Sequence, residues 1–215
     1  MATDYCTTSQ IKALMPDVTW GTSYDAILAV LITGASRAID ELYKRKPGAF
    51  AVTSTAARYY GPQQVHGTFL RIDELAAAPT SVSIALTGDV DNASGSGGTY
   101  TALTTNDYFL DPDNAADDGL PYTGLCLDVQ NGDYASWYGY PRGVKVIGKW
   151  GYATTSPAII AQQTKIQTVR WFKRAQQAYA DVGAITELGQ LQYVQKLDPD
   201  IAILLMNSRM GRVTI

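Results

Sequence analysis

His66 is the chain's single histidine. General acid–base work or metal binding there needs partners, and its neighbours Gln63, Gln64 and Arg71 are poor metal ligands. An ordinary strand histidine is the favoured reading. Asp89, Asp91, Asn92 and Ser94 place side-chain oxygens at the close spacing a calcium loop uses. The glutamate that would close an EF-hand is missing, as are its flanking helices, so the segment reads as a mobile hairpin tip. Asp111, Asp113, Asp117 and Asp118 form an acidic cluster able to attract a cation, but Pro112 and Asn114 suit a turn and the favoured reading is a solvated loop. Gly95-Ser96-Gly97-Gly98 is followed by neither Lys-Ser nor Lys-Thr, and no helix opens after it to supply N–H groups to a phosphate. No Gly-x-Ser-x-Gly occurs, and no second histidine supports a triad.

Trp137, Tyr138 and Tyr140, just before Pro141, suit a stacking platform for a sugar or for single-stranded nucleic acid. Packing under a loop or at a subunit interface is the competing reading. Cys126 alternates with Leu125 and Leu127 as a packed strand residue does. Cys6 and Cys126 are the only thiols, far apart in a chain large enough to do without a disulfide. The residues thus point to no catalytic centre, metal or cofactor.

The elements that must carry these residues are legible from periodicity. Gly139 to Asp181 organises the chain as a strand running directly into a long helix. Val144, Val146, Gly148 and Trp150 share one face at period two, with Lys145 and Lys149 opposite. Ser156 is then expected as N-cap with Pro157 at the first helical position. No helix breaker occurs from Ala158 to Val182, which predicts roughly 25 helical residues, about 37 Å. Ile159, Ile166 and Val169 form one apolar stripe on that helix; Ile160, Trp171, Ala175 and Ala178 form another. Two stripes suit two neighbours.

Upstream, Thr7 and Gln10 fit a capping box, and Ile11, Leu14 and Met15 give a short helix its apolar face before Pro16. Thr22 or Ser23 caps a helix near residues 23–45. Tyr24, Ile27, Leu28, Leu31, Ala35, Ala38, Ile39 and Leu42 are expected to face inward, and Asp25, Thr33, Arg37, Asp40, Glu41 and Lys44 outward. Pro47-Gly48 ends it. Between the long helices lie seven candidate strands: 56–60, 65–72, 81–86, 99–103, 108–110, 124–129 and 144–150. Gly88 to Thr99 reads as a flexible loop, Asp111 to Gly119 as an acidic loop, and Asn131-Gly132 as a tight turn. Leu188 to Leu197 suits strand or helix. Asp198-Pro199 opens a short last helix, and 207–215 is a tail.

The expected fold is α+β: a helical body of two long helices plus short N- and C-terminal helices, with an inserted antiparallel β domain. The boundaries are 1–48 with 153–206 for the body, 49–152 for the insertion and 207–215 for the tail. A formal charge of −3 argues against a duplex-binding surface. No apolar run approaches the ~20 residues of a membrane helix, and no secretion signal is read, so a soluble protein made in a cytoplasm is expected.

The order of short motifs carries a resemblance. Tyr5-Cys6-Thr7 precedes a capped helix, and Ala35-Ser36-Arg37-Ala38-Ile39-Asp40 lies on the long one. Phe69 to Leu75, Asn106 to Leu110, Trp137, Tyr140-Pro141, Val144 to Gly148 and Trp150-Gly151-Tyr152 follow. Pro157-Ala158-Ile159-Ile160 and Asp198-Pro199-Asp200-Ile201 open the last two helices. From Asp4 to Arg212 the chain resembles the head–tail connector (adaptor) proteins of tailed bacteriophages and gene transfer agents.

That resemblance implies a structural virion protein and not an enzyme. It implies a homo-oligomeric ring, usually of twelve subunits, at the neck beneath the portal. The ring would extend the channel for packaged DNA, without sequence-specific binding, and dock the next neck, stopper or tail protein; no membrane is involved. Such a protein would be made in a bacterial host's cytoplasm. Asp200, Ile201, Leu204, Leu205, Arg209, Met210, Arg212, Val213 and Ile215 are expected to meet the portal, because an apolar, arginine-bearing tail is suited to ordering on binding. Ile160, Ile166, Val169, Trp171 and Tyr179 are expected at the subunit interface. Asp111, Asp113, Asp117 and Asp118 suit a channel wall or tail-facing loops, since lysine and arginine contacts would hold the DNA. The rival reading is a monomeric β-rich module binding glycan or nucleic acid through Trp137, Tyr138 and Tyr140.

Overall fold

The computed structural model describes residues 2–92 and 94–176, together with the backbone of 182–185 and 190–193. In chain order its elements are α1 (Thr8–Ala13), α2 (Ser23–Leu42), β1 (Ala56–Tyr60), β2 (Val65–His66), β3 (Phe69–Leu75), β4 (Ser81–Ile84), β5 (Thr101–Ala102), β6 (Tyr108–Asp111), α3 (Ala115–Asp118), β7 (Tyr122–Leu127), β8 (Val144–Gly148), α4 (Ala158–Gln176), β9 (Val182–Ile185) and β10 (Gln190–Tyr193). Helices and antiparallel sheets make this an α+β fold. Two compact units emerge, one from 1–48 with 156–215 and the other from 49–155.

In the first unit, Thr7 and Gln10 close the expected capping box on α1. Ile11, Met15, Leu28, Ile32 and Phe172 are buried together, and Trp20, Tyr24 and Phe172 pack their rings at 5.4–5.8 Å. Leu14, expected inward, is exposed. Helix α2 is also turned from its expected setting. It buries Leu28, Ile32, Ala35, Ser36, Ile39 and Asp40, and leaves Ile27 and Leu42 exposed.

The reason is Asp40, which has two hydrogen-bond donors and a guanidinium beside it. Its carboxylate accepts from the Tyr5 hydroxyl and from Gly48 N at 3.0 Å, and Arg37 Nε lies 3.3 Å away. A buried carboxylate so supplied is tolerable, and it draws its helix face inward. The same contacts bind the N-terminal segment to α2. Tyr5 N donates to Ser36 Oγ, Arg37 to Thr3 O, and Thr33 to Asp4.

The N-terminus of α2 falls where expected, with Asp25 in its first turn, and only the capping bond is missing. Thr22 is the N-cap but makes no side-chain cap, and Asp25 pairs with Lys12 at 2.6 Å. The C-terminus closes at Lys44, before Pro47-Gly48. Lys44 takes φ 52°, its N–H meets Glu41 O, and Arg45 N meets Asp40 O, a Schellman motif with lysine in glycine's usual place.

Helix α4 packs on α2, but its inner face is not an apolar stripe. Ile160 and Phe172 are buried with Gln163, Thr164, Gln167 and Thr168 between them. Thr164 and Thr168 donate to carbonyls one turn back, and Gln163 Nε2 donates to the Tyr43 hydroxyl at 3.1 Å. Ser156 is not the N-cap: its Oγ is buried without a partner. Pro157 supplies the first accepting carbonyl, to Ala161 N, and so stands one place outside the expected position. Val182 belongs to strand β9, so the helix ends short of the expected 182. Strands β9 and β10 pair antiparallel, Val182 opposite Tyr193, which makes the central part of 188–197 strand. The expected last helix and the tail lie outside the described residues.

The second unit holds two four-stranded antiparallel sheets, ordered β1-β8-β4-β5 and β2-β3-β7-β6. One core joins them. Val82, Ile84, Val144 and Val146 from the first sheet share it with Leu70, Ile72, Leu75, Leu125 and Leu127 from the second. The period-two face of β8 is buried as expected from Val144 through Trp150. Trp150 bridges to Leu75, so the end of β3 is tied to the extension of β8. The expected strand 65–72 is broken at Gly67 (φ 66°), where β2 turns into β3. At Gly124 a Cβ would lie 2.3 Å from the Phe69 ring, and only glycine leaves room for it.

Candidate functional site

His66 stands exposed on β2 opposite Phe69. No group of three or more histidine, cysteine or carboxylate side chains able to hold a metal occurs among the described residues. None of the described helices is long and apolar enough to cross a membrane.

The Gly88–Thr99 segment is not the free hairpin tip its composition implies. Asp91, 4% exposed, lies at the centre of a cluster. Its Oδ2 takes the Lys145 ammonium at 2.8 Å and the Tyr59 hydroxyl at 2.9 Å, and its Oδ1 accepts from Gly98 N at 3.0 Å. Tyr100 accepts from Asp91 N and donates to Arg142 O. The side-chain oxygens of Asp89 and Asn92 are also engaged within the loop. Asp89 accepts from Thr99, and Asn92 from Ser94 N and Ser96 N. A lysine occupies the place a cation would take.

The hydrogen bond from Lys145 holds the Asp91 carboxyl below the usual carboxylate range, and the same bond raises the Lys145 ammonium. The acid's contribution is complete above its unfolded value of about 3.9 and disappears as pH falls through the lowered folded value. The lysine's is complete below about 10.4 and disappears as pH rises through the raised one. Protection of the Gly88–Thr99 amides from hydrogen exchange, corrected for intrinsic rates, should therefore stay flat from about pH 5 to 9. Lys145→Met should weaken that protection; full retention would show that the loop is held without the lysine.

The acidic stretch is ordered too. Asp111 ends β6, and Asp117 and Asp118 belong to the single turn α3, closed by Gly119 at φ 65°. Asp113, Asp117 and Asp118 are exposed and make no ion pair among the described residues, whereas Asp111 is half-buried.

The aromatic platform comes apart. Trp137 is 4% exposed, packs in the β core and donates Nε1 to Thr68 O at 2.7 Å. Tyr138 packs against that core, and its ring lies parallel to that of Tyr140 at 6.5 Å. Only Tyr140 is substantially exposed, and a three-residue stacking surface is not present.

On α4, Ile160 is fully buried within its own chain and cannot meet another subunit. Ile166, Val169 and Trp171 are half-buried. Val169 packs against the helical core, and the Trp171 ring lies over Gly34 of α2. Tyr179 and the nine residues expected at the portal lie outside the described residues. An apolar surface not foreseen lies on α2, where Val30 is 72% exposed beside Ile27. Its signal was the absence of charge from Ala26 to Ser36, around the whole helix.

Solved structures that share this architecture include two particle necks. One is the neck of an empty gene transfer agent (GTA) particle computed with C6 symmetry. Its chain matches with a TM-score of 0.56 at 14% identity, covering 98% of this chain and 91% of that one. The other is the neck of a native GTA particle computed with C12 symmetry, with a TM-score of 0.51 at 16% identity and coverage of 100% and 97%. The chain has their fold. The sequence itself matches no protein-family model and no curated protein.

Proposed function

We propose that this chain is a structural protein of a virion neck, an adaptor that forms a ring of about twelve copies under the portal. The ring extends the DNA channel and joins the head to the next neck or tail protein. One observation carries this reading: a likeness in fold that runs the length of both chains, to neck proteins from rotationally symmetric assemblies. In this proposal the 200–215 segment meets the portal. Ile166, Val169 and Trp171 contribute to subunit packing, together with the α2 face of Ile27 and Val30. The exposed aspartates Asp113, Asp117 and Asp118 face the channel or a neighbouring protein.

Cryo-microscopy of particles carrying this chain tests it. Density for a rotationally symmetric ring of this fold between portal and tail is the expected result. Particles whose necks lack it, or carry it elsewhere, overturn the proposal.

A further inference from the structure

Arg142 is held in an unusual way. Its backbone takes φ 60°, a left-handed conformation that non-glycine residues adopt at a cost and keep where surroundings enforce it. Its guanidinium carbon sits 3.8 Å from the centroid of the Tyr59 ring. Its Nε is buried with no hydrogen-bond partner. No carboxylate pairs with it among the described residues, although Lys12, Arg37, Arg58 and Lys145 are each paired with an aspartate. Tyr59 and Tyr100 are fixed beside it by the Asp91 cluster, and Tyr140 lies exposed two residues upstream. A pre-oriented arginine among tyrosines has the composition of an interface anchor, and its planar fork matches a carboxylate.

We infer that Arg142 and its tyrosine surround form a socket for the acidic turn of a second copy of this chain, α3 with Asp113, Asp117 and Asp118. The inference rests on the ring reading above. Charge complementarity selects the occupant, because both groups lack an opposite charge among the described residues. The two surfaces differ, as the head-to-tail contacts of a closed ring require. One fixed arginine in a chain of net charge −3 is poorly suited to a nucleic-acid backbone, which calls for several cations.

Assembly of the full chain, with and without portal-bearing heads, is the test, read as ring fraction by mass photometry and negative-stain imaging. Arg142→Glu and Asp117→Arg should each raise the concentration for half-assembly at least tenfold, and the double variant should recover part of the loss. Arg142→Gly removes the guanidinium while accepting the positive φ, so it should fold normally and still assemble poorly. If wild type forms rings and Arg142→Gly forms them equally well, the socket is wrong and the ring stands. If wild type forms none on heads, the ring reading itself fails. Weaker binding of a short DNA duplex by Arg142→Gly, with rings intact, would assign the arginine to nucleic acid and overturn the inference.

Discussion

Replacing Trp150 with alanine should cost the β unit about 3–5 kcal/mol, the range for deleting a large buried aromatic side chain. The indole is 2% exposed and packs beside Tyr60, with ring centroids 6.1 Å apart. Its Nε1 donates to Ala56 O at 2.7 Å, and the Arg58 guanidinium lies 4.7 Å from its centroid. That guanidinium is itself held at 2.5 Å by Asp73. The side chain thus fastens β1 directly and reaches β3 through Arg58 and Asp73. Set against a typical domain stability of about 5–15 kcal/mol, much of the unit's margin would go. Urea unfolding followed by tryptophan-independent circular dichroism measures it. A loss under about 1 kcal/mol would mean the two sheets hold together without the indole.

Asp40→Ala should cost the helical unit about 3–5 kcal/mol, the range for removing one member of a buried, hydrogen-bonded charge pair. It takes the acceptor from the buried Tyr5 hydroxyl, from Gly48 N and from Arg37 in one step. The N-terminal segment should then come away from α2, measurable as faster hydrogen exchange at residues 3–7 ahead of global melting. Asp40→Asn keeps the shape and one acceptor and should cost less. Burial raises the Asp40 carboxyl above its ordinary value, opposed by the donors from Tyr5 and Gly48 and by the Arg37 charge. The folded state therefore holds the proton more tightly than the unfolded one. Stability from this group falls as pH rises from about 4 through the raised folded value. Across that window the advantage of wild type over Asp40→Asn should shrink. An advantage that grows with pH would show the donors outweigh burial.

What was legible in the sequence follows from how locally each feature is determined. The face of β8 could be read because Val144, Val146, Gly148 and Trp150 alternate with half-exposed residues and nothing competes with that period. Facing of α2 could not, because Asp40 becomes an inward residue only through Tyr5 and Gly48, which the helix period does not contain. The same holds for Asp91. Its loop has the composition of a flexible tip, and it is ordered by Tyr59 and Lys145 from β1 and β8. Trp137 adjoins Tyr138 and Tyr140 in sequence, yet the carbonyl it needs belongs to Thr68. On α4 the isoleucines carry the helical period, yet glutamine and threonine form most of its buried face. Local periodicity located the elements; partners distant in the sequence decided which way they face.

The pairing of residues near the two ends of the β unit has a consequence for how the chain folds. Tyr152 N and Ala153 N both donate to Ala49 O, and Val52 N to Ala153 O, so the segments entering and leaving this unit run side by side. Helices α2 and α4 are separated by this entire unit in sequence. Pairing them in an unfolded chain means closing a loop of roughly a hundred residues. Once the β unit has formed, the effective loop shrinks to about ten residues, and by the logarithmic dependence of closure entropy the helix pairing becomes cheaper by about 2 kcal/mol. The sheets should therefore fold first, with the helices docking afterwards on a loop already closed for them.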